Sequence, residues 1–305
     1  MSAPGDEIIP IPKPNPPLNL FKPGEPFQAR VLANKRISQS GTEDDIRHVV
    51  IDYSGSDYHF IEGQSMGVIA PGERAPGKPH KVRLYSIASG RDGALVAGTH
   101  QKDTAALCVK RVEYQDEDGN LVKGVCSNHI CDLAPGDAVA ISGPNGKAFV
   151  IPDDPDADLI LFATGTGIAP FRGFFQRLFE TAPEPFRGKV LLFYGAKTRK
   201  ELAYFNEEDD SLDRYQQEFN VEIFTALSRE NPDKPKVYVQ HRLAEQRAQI
   251  KAIIDRGNFS IYICGLKGMD RGIEEVLAEL YGGEAAWQTA RSALKKAGRY
   301  NVEVY

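Results

Sequence analysis

In the first half of the chain, hydrophobic and polar positions alternate in short runs that turn residues separate. Runs of this kind cover residues 27–38, 46–53, 65–71, 82–89, 94–101, 104–114 and 137–144. Because successive side chains of a strand point to opposite faces, the alternation predicts β-strands with one buried face. Many short strands at such spacing are typical of a closed antiparallel barrel.

One segment of this half has a different period. Residues 124–133 (GVCSNHICDL) place apolar side chains at near-helical spacing, and a Pro135-Gly136 turn follows them. The pattern predicts one helix that caps the barrel.

Beyond the acidic, proline-punctuated stretch at 151–158, continuous apolar runs alternate with amphipathic segments. The runs predict strands at 159–163, 189–196, 221–227, 261–265 and 300–305. The segments between them predict helices at 171–179, 243–255, 269–280 and 285–296. Such alternation indicates a parallel sheet with helices on both faces, which binds a nucleotide at the carboxyl ends of its strands.

We therefore expect two domains behind a flexible, proline-rich arm at residues 1–20. The first is an N-terminal antiparallel β-barrel at 21–152, and the second is a C-terminal α/β parallel-sheet nucleotide-binding domain at 153–305. A chain of 305 residues with 41% hydrophobic and 26% charged residues is long enough for two cores.

Charge and cysteine usage exclude several classes of function. The formal net charge of −5 gives no reason to expect nucleic acid as a partner. No apolar stretch approaches the roughly 20 residues of a transmembrane segment, so we expect a soluble protein. None of the four cysteines forms a C-x-x-C pair, which argues against a metal site or an iron–sulfur cluster and predicts reduced thiols.

The segment T-G-T-G-I-A-P at residues 164–170 follows a buried strand and opens a helix. Its glycines allow the backbone to approach a ligand closely, and a helix N-terminus supplies N–H donors to a pyrophosphate. Pro170 replaces the third glycine of the usual dinucleotide fingerprint.

Six motifs together, RLYSIAS, GVCSNHICDL, GPNGKAF, ATGTGIAPFR, YICGLKGMD and NVEVY, resemble those of plant-type ferredoxin–NADP+ reductases, in the same order along the chain. The resemblance implies an oxidoreductase with FAD and NADP(H) as cofactors. It implies that single electrons from ferredoxin and a hydride of NADP(H) are exchanged through flavin N5.

On the flavin side, the resemblance assigns Arg83 to the pyrophosphate, Tyr85 to the isoalloxazine ring and Ser86 to the region of N5. The remaining FAD residues that it implies are Cys108, Val109, Tyr114, Gly124, Val125, Cys126, Ser127, Thr166 and Tyr305. Two simpler readings stay open: Ser127 merely caps the helix, and Tyr114, expected to stack on the adenine, merely packs.

On the nicotinamide side, a 2′-phosphate requires cations, whereas NAD enzymes usually offer a carboxylate to the ribose. Lys236, Tyr238 and Gln240 share one face if their segment is extended. The resemblance implies an NADP site formed by Lys110, Thr164, Thr166, Gly167, Ser228, Arg229, Lys236, Tyr238, Gln240, Gly265, Leu266 and Met269. A solvated basic edge is the alternative, and Glu230 and Asp233 add opposing charge.

The resemblance also assigns four catalytic residues around the reactive edge of the flavin: Ser86, Cys264, Glu303 and Tyr305. Cys264 is expected to orient the nicotinamide without covalent attack, and Glu303 to link N5 to solvent through Ser86 as a proton path. Tyr305 is expected to cover the flavin face and to move aside for the nicotinamide. A buried core thiol is the alternative reading of Cys264.

The implied partner is an acidic electron carrier, ferredoxin or flavodoxin, and the protein is expected to be a monomer. Lys78 and Lys81, with Lys296 and Arg299 as contributors, are the docking candidates. We expect a bacterial cytoplasmic protein, with a processed plastid form as the alternative. A reductase that feeds an oxygenase and a non-catalytic flavoprotein module are the competing functions. His129, Tyr300 and the segment 91–103 depart from the family pattern.

Overall fold

The computed structural model describes residues 8–305. The strands are β1 (Phe27–Arg36), β2 (Ile46–Asp52), β3 (Ser65–Ile69), β4 (Glu73–Ala75), β5 (Lys78–Pro79), β6 (Arg83–Ser86), β7 (Ala94–Val96), β8 (Thr99–Gln101), β9 (Thr104–Lys110), β10 (Glu113–Gln115), β11 (Leu121–Lys123), β12 (Ala138–Asn145), β13 (Asp158–Thr164), β14 (Val190–Ala196), β15 (Val221–Leu227), β16 (Phe259–Gly265) and β17 (Tyr300–Val304). The α-helices are α1 (Val125–Asp132), α2 (Ala169–Gln176), α3 (Asp213–Glu218), α4 (Val239–Glu245), α5 (Arg247–Arg256), α6 (Met269–Leu280) and α7 (Glu284–Lys296).

The N-terminal sheet is an antiparallel barrel of six strands in the order β6-β3-β12-β1-β2-β9. Its two edge strands meet just beyond β6, where Ile87 pairs with Leu107 and the Ala88 N–H donates to the Ala106 carbonyl at 2.7 Å. Closure pairs the backbone groups that an open edge would expose. The predicted barrel is confirmed.

The C-terminal sheet is parallel throughout, in the order β15-β14-β13-β16-β17. The strand order reverses between β13 and β16, and a turn of 3₁₀ helix, Gly165–Ile168, leads from β13 into α2. Ligands of such sheets bind outside the carboxyl ends of the strands at this reversal. The predicted nucleotide-binding architecture is confirmed.

One apolar core runs through both domains. Ile46 and Cys108 of the barrel belong to the same buried cluster as Leu161 and Phe171 of the second domain. Phe149, from the connection between the domains, packs edge-on against the Tyr262 ring at 5.2 Å. The two domains therefore share a continuous hydrophobic contact.

The described part of the N-terminal segment, residues 8–20, lies against both domains. The Lys13 ammonium donates to the Ala148 carbonyl at 2.9 Å and to Asn301 Oδ1 at 3.3 Å, and it lies 5.1 Å from the centre of the Tyr262 ring. Burial lowers the pKa of Lys13 to about 8. These contacts hold Lys13 against both domains within the segment that the sequence predicts to be a flexible arm; residues 1–7 of that arm lie outside the described range.

Several local elements differ from the sequence prediction, and α3 and the hairpin of β4 and β5 have no predicted counterpart. The helix predicted at 243–255 is broken at Gln246 into α4 and α5, and the strand predicted at 94–101 is a hairpin of β7 and β8. The strand predicted at 104–114 ends at Lys110, and β10 begins a separate hairpin with β11. Within residues 8–305, no helix is long and apolar enough to cross a membrane.

Candidate functional site

A cleft of about 1020 Å³ lies where the barrel meets the carboxyl ends of the parallel strands. Strand β6, the end of β9, the start of α1 and the chain end around Tyr305 form its walls. Thirteen of the residues expected from the sequence line this cleft: the docking candidate Lys81, together with Arg83, Tyr85, Ser86, Cys108, Lys110, Gly124, Val125, Cys126, Ser127, Thr166, Leu266 and Tyr305. Residues from both domains thus converge on one site.

Strand β6 presents an uncommitted cation to the cleft. The Arg83 side chain is exposed and forms no ion pair or hydrogen bond with any other residue in the described chain. Two residues on, Tyr85 packs against the barrel core, and its hydroxyl contacts the Cys126 thiol. Burial raises the pKa of the Tyr85 phenol, so it stays neutral. The strand therefore offers a positive charge beside a neutral aromatic ring.

Helix α1 begins at the cleft after Gly124, and none of the described side chains caps its N-terminus. The first N–H groups of a helix have no intrahelical acceptor and favour an anion. The Ser127 hydroxyl has partners within the protein, since Oγ accepts from the Val112 N–H at 3.2 Å and donates to the Gly124 carbonyl at 3.2 Å. The uncapped backbone N–H groups at Val125 and Cys126 face the same cleft.

Three predicted catalytic residues meet at the innermost wall, where Ser86 lines the cleft and Cys264 and Glu303 lie behind it. Cys264 on β16 is in register with Glu303 on β17, and Ser86, from the barrel, bonds to the Cys264 thiol. Burial, with a smaller contribution from Glu303, raises the pKa of Cys264, so the thiol stays protonated. Burial raises the pKa of Glu303 to about 7. A carboxyl that titrates near neutrality thus lies beside a neutral thiol and a hydroxyl.

Tyr305 closes the cleft from the end of the chain. Its backbone is fixed, since its N–H donates to the Gly265 carbonyl at 3.0 Å and its carbonyl accepts from the Lys267 N–H at 3.2 Å. The hydroxyl lies 2.7 Å from Thr166 Oγ1, and 55% of the residue is exposed. Among residues 8–305, one side-chain hydrogen bond therefore holds the ring over the cleft.

Two glycines bring the turn after β13 close to the end of β16. A Cβ at Gly167 would collide with the Cys264 carbonyl, and one at Gly265, which has φ of 146°, would collide with the Thr164 hydroxyl. Thr164 Oγ1 accepts from the Leu266 N–H at 2.9 Å and donates to Met269 Sδ at 3.2 Å. Thr164 and Met269 therefore shape this wall from behind and do not line the cleft.

The outer edge of the cleft is basic, and its cations are paired. Lys110 Nζ lies 2.7 Å from Asp44, and Arg229 lies 3.5 Å from Glu43. Lys197, which sequence reasoning missed, contacts both carboxylates, at 2.6 Å to Glu43 and 2.9 Å to Asp44. Its position directly after β14, at the carboxyl end of a parallel strand, was the available signal.

The predicted adenine and 2′-phosphate residues do not share one face. Lys236 and Tyr238 are exposed, but Tyr238, with an extended backbone, is the N-cap of α4, so Gln240 lies in the first turn of that helix. The Gln240 side chain packs against Gly272 of α6. Ser228 Oγ donates to the Ala196 carbonyl at 3.3 Å. The prediction of one extended face over Lys236–Gln240 is therefore wrong, because the helix starts inside it.

The structure also shows where three further residues named from the sequence lie. Val109 points into the barrel core, opposite to Cys108, because side chains alternate along β9. Tyr114 is 56% exposed on the hairpin of β10 and β11 and is not packed away. Arg299 is buried and donates to the Phe259 carbonyl at 2.7 Å, so it is no docking residue.

The other docking candidates, Lys78, Lys81 and Lys296, are exposed. His129, one of the departures from the family pattern, has its pKa lowered by burial, against the opposing effect of Asp132 and Asp137. It is therefore a neutral packed imidazole. All four cysteines are buried, unpaired thiols.

Comparisons with known proteins agree with this geometry. The family described as the oxidoreductase NAD-binding domain matches residues 161–275. The ferredoxin–NADP reductase of Spirulina sp is 40% identical over 294 residues, which cover 95% of this chain and 98% of that protein. The cyanelle enzyme of Cyanophora paradoxa is 42% identical over 294 residues, covering 95% of this chain and 79% of that protein.

A solved structure, ferredoxin-NADP+ reductase from Plasmodium falciparum with 2′P-AMP, has the same fold. Its TM-score is 0.73 at 23% identity, and the match covers 94% of this chain and 99% of that one. The relatives above show more than the fold, because their identity extends over nearly the whole length of this chain. The chain belongs to the ferredoxin–NADP reductase family.

Proposed function

We propose that this protein is an FAD-dependent ferredoxin–NADP+ reductase that moves electrons between ferredoxin and NADP(H). One observation carries the proposal: Ser86 of the barrel and Tyr305 line the same cleft, and Ser86 contacts Cys264 of the parallel sheet, which lies beside Glu303 behind the cleft wall. Neither domain alone contains this set, so the interface between them is the catalytic element.

The donor set of the cleft fits FAD. A diphosphate needs a cation and backbone N–H groups, and Arg83 and the uncapped start of α1 supply both in one wall. We assign Arg83, Tyr85 and the backbone of Val125 and Cys126 to hold the cofactor, with Tyr114 placed for the adenine. When bound, FAD supplies the conversion between a two-electron hydride and single electrons.

The surrounding side chains prepare this site without reacting covalently. Ser86 offers a hydroxyl, and the protonated Cys264 thiol leaves a small, polarizable surface for the nicotinamide ring. Glu303, with its pKa near 7, can take up or release a proton at its carboxylate at working pH. We assign proton exchange with solvent to Glu303 and positioning to Cys264.

Tyr305 is the gate of the cleft. Its ring lies in the cleft and is held by one hydroxyl contact to Thr166, while its backbone is anchored to Gly265. Rotation of the side chain about a fixed backbone opens the space that a nicotinamide needs. The gate thus opens without moving a domain.

Lys110, Arg229, Lys236 and Tyr238 are the residues we assign to the phosphates and adenine of NADP(H). We assign Arg229 and Lys236 to the 2′-phosphate and Lys110 to the phosphates that both nucleotides share, and the exposed Tyr238 ring is available for stacking. Ser228 and Gln240 make internal contacts, so the pocket is smaller than the sequence predicted.

We assign docking of the acidic carrier to Lys78 and Lys81, near the cleft, with Lys296 as a contributor. Charge attraction of this kind weakens as salt rises, so turnover with ferredoxin is expected to fall with ionic strength. Flavodoxin as a second carrier, a monomeric state and a bacterial cytoplasmic location, with the processed plastid form as the alternative, remain predictions. The relatives come from cyanobacteria and from chloroplasts.

The experiment is an anaerobic titration of the purified protein with NADPH and, separately, with NADH, followed by turnover with reduced ferredoxin. Bleaching of the flavin absorbance by NADPH in preference to NADH, with ferredoxin-dependent turnover, supports the proposal. Equal bleaching by both nucleotides would contradict the assignment of a 2′-phosphate pocket. A colourless protein would contradict the assignment as a flavoenzyme.

A further inference from the structure

The loop between β1 and β2, residues 37–45, carries two carboxylates into the basic edge of the cleft. Glu43 contacts Lys197 at 2.6 Å and Arg229 at 3.5 Å, while Asp44 contacts Lys197 at 2.9 Å and Lys110 at 2.7 Å. Three cations from the barrel and from the nucleotide-binding domain are thus neutralised by one loop.

The loop is held in place by its own hydrogen bonds. Ser38 Oγ donates to the Asp44 carbonyl at 2.6 Å and accepts from the Ile46 N–H at 3.1 Å. The Gln39 N–H donates to the Lys200 carbonyl at 3.0 Å, which ties the loop to the second domain. The carboxylates are therefore presented in fixed positions, and only 12% of the Asp44 side chain is exposed.

The charges are concentrated and firmly ionised. The carboxylate oxygens of Glu43, Asp44 and Glu201 all lie within 4.8 Å of one another. Burial alone would raise the pKa of Asp44, but hydrogen bonds from Lys110 and Lys197 outweigh it and the pKa is lowered. The hydrogen bond from Lys197 also lowers the pKa of Glu43. At neutral pH both groups are therefore anions that hold the cations.

We propose that Glu43 and Asp44 are built-in counter-ions that compete with the phosphates of NADP(H) for Lys110, Lys197 and Arg229, and so limit the affinity of the site for the nucleotide. This rests on the proposed assignment of Lys110 and Arg229 to the nucleotide phosphates. A carboxylate and a phosphate oxygen seek the same donors, so binding requires the loop contacts to be exchanged for nucleotide contacts. The exchange weakens binding and eases release of the product nucleotide.

The two carboxylates act on different parts of the nucleotide. Arg229 is assigned to the 2′-phosphate, which only NADP(H) carries, and Glu43 is its partner. Asp44 faces Lys110, which is assigned to phosphates that both nucleotides share. Loss of Glu43 is therefore expected to favour NADP+ over NAD+, whereas loss of Asp44 is expected to strengthen the binding of both.

The test is calorimetric titration of the flavin-loaded protein with NADP+ and with NAD+ at low salt. Glu43→Gln and Asp44→Asn are each expected to lower the Kd for NADP+ by about 3- to 10-fold, the range for loss of one or two partly exposed ion pairs. Glu43→Gln is expected to lower the Kd for NAD+ less than the Kd for NADP+, because Lys197 keeps Asp44 as a partner and NAD+ has no 2′-phosphate for the freed Arg229. The matched control is Glu222→Gln, which breaks a lysine pair of 2.5 Å at the opposite end of the sheet with the same change in charge.

The sign of the change decides the outcome. If both variants bind NADP+ more weakly, the carboxylates orient the lysines for the nucleotide, and the proposal is overturned. If both variants bind NADP+ as wild type does, the carboxylates do not affect the affinity, and the proposal is also overturned. Glu43, 70% exposed, keeps the test valid if Asp44→Asn lowers stability. Lys110→Ala tests the underlying assignment separately: if it leaves the Kd for NADP+ unchanged, the phosphate assignment fails whatever the loop variants do.

Discussion

The inner and outer walls of the cleft are built in opposite ways. The inner wall, Ser86, Cys264 and Glu303, is half-buried or buried and carries neutral or nearly neutral groups. The outer wall, with Lys110 and Lys197, is more exposed, fully charged and already paired with carboxylates. Fixed, weakly charged groups suit chemistry that depends on position, whereas exchangeable ion pairs suit a ligand that must arrive and leave.

The largest effect is expected at the inner wall. Ser86→Ala should lower kcat for ferredoxin-dependent NADPH oxidation by about 100-fold, the lower end for loss of a group that assists proton transfer. The KM for NADPH should change by less than about twofold, because the contact matters in the transition state. Ser260→Ala, which removes a buried hydroxyl elsewhere on β16, is the control. If the kcat of Ser86→Ala is close to that of Ser260→Ala, the hydroxyl of the inner wall does not contribute to the reaction, and the distinction between the two walls fails.

The second effect concerns stability and pH. The raised pKa of Glu303 means that the folded protein binds this proton more tightly than the unfolded chain, so stability falls as pH rises from 4.5 to about 7. The Glu303→Gln variant has no carboxyl at this position, so its unfolding free energy does not fall with pH for this reason. Relative to wild type, the variant should gain about 2 kcal/mol in unfolding free energy between pH 5 and pH 8, measured by urea titration.

Glu117→Gln makes the same chemical change at an exposed residue and provides the comparison for this measurement. If the pH dependence of Glu303→Gln does not differ from that of Glu117→Gln, the inner wall does not bury a titrating carboxyl.

The third effect lies at the gate between the two walls. Tyr305→Ser should tighten NADP+ binding about tenfold and improve the use of NAD+, since the nucleotide no longer has to displace a ring. Tyr305→Phe keeps the ring and removes only the contact with Thr166, so its affinity should stay near that of wild type. Unchanged affinity for both nucleotides in Tyr305→Ser would contradict the gate.

The smallest effect is expected at the outer wall. Lys236→Ala should raise the KM for NADPH about fourfold and leave the KM for NADH unchanged, because one exposed charge contributes little and only NADPH offers it a 2′-phosphate. Lys234→Ala removes an equally exposed cation two residues away. If the KM for NADH rises by the same factor, Lys236 contributes to nucleotide binding without recognising the 2′-phosphate.

Sequence patterns predicted most of the fold because strand and helix periods are local. The helix Met269–Leu280 was predicted with its observed bounds, whereas the break at Gln246 carries no proline or glycine and was missed. The motifs also named the inner wall, since Ser86, Cys264 and Glu303 lie in recognisable segments. The register that places Cys264 beside Glu303 follows only from the assembled sheet.

The outer wall was harder to predict because its geometry depends on contacts between distant segments. Lys197 and Asp44 are more than 150 residues apart along the chain, and no local pattern joins them. Arg299 shows the opposite difficulty: its charge suggested a surface position, but the strand that follows α7 carries it into the interior. A charged residue in the sequence therefore suggests a role in ligand or partner binding, but only the folded structure shows whether that residue lies at the surface.

The apolar core shared by Ile46, Cys108, Leu161 and Phe171 has a thermodynamic consequence. Separating the two sheets would expose this surface to water, so neither half is expected to be stable alone, and heating should give one cooperative calorimetric transition. The same continuity opposes hinge opening between the domains. Entry of the nucleotide must then depend on movements of single side chains, such as that of Tyr305, within a framework that behaves as one folding unit.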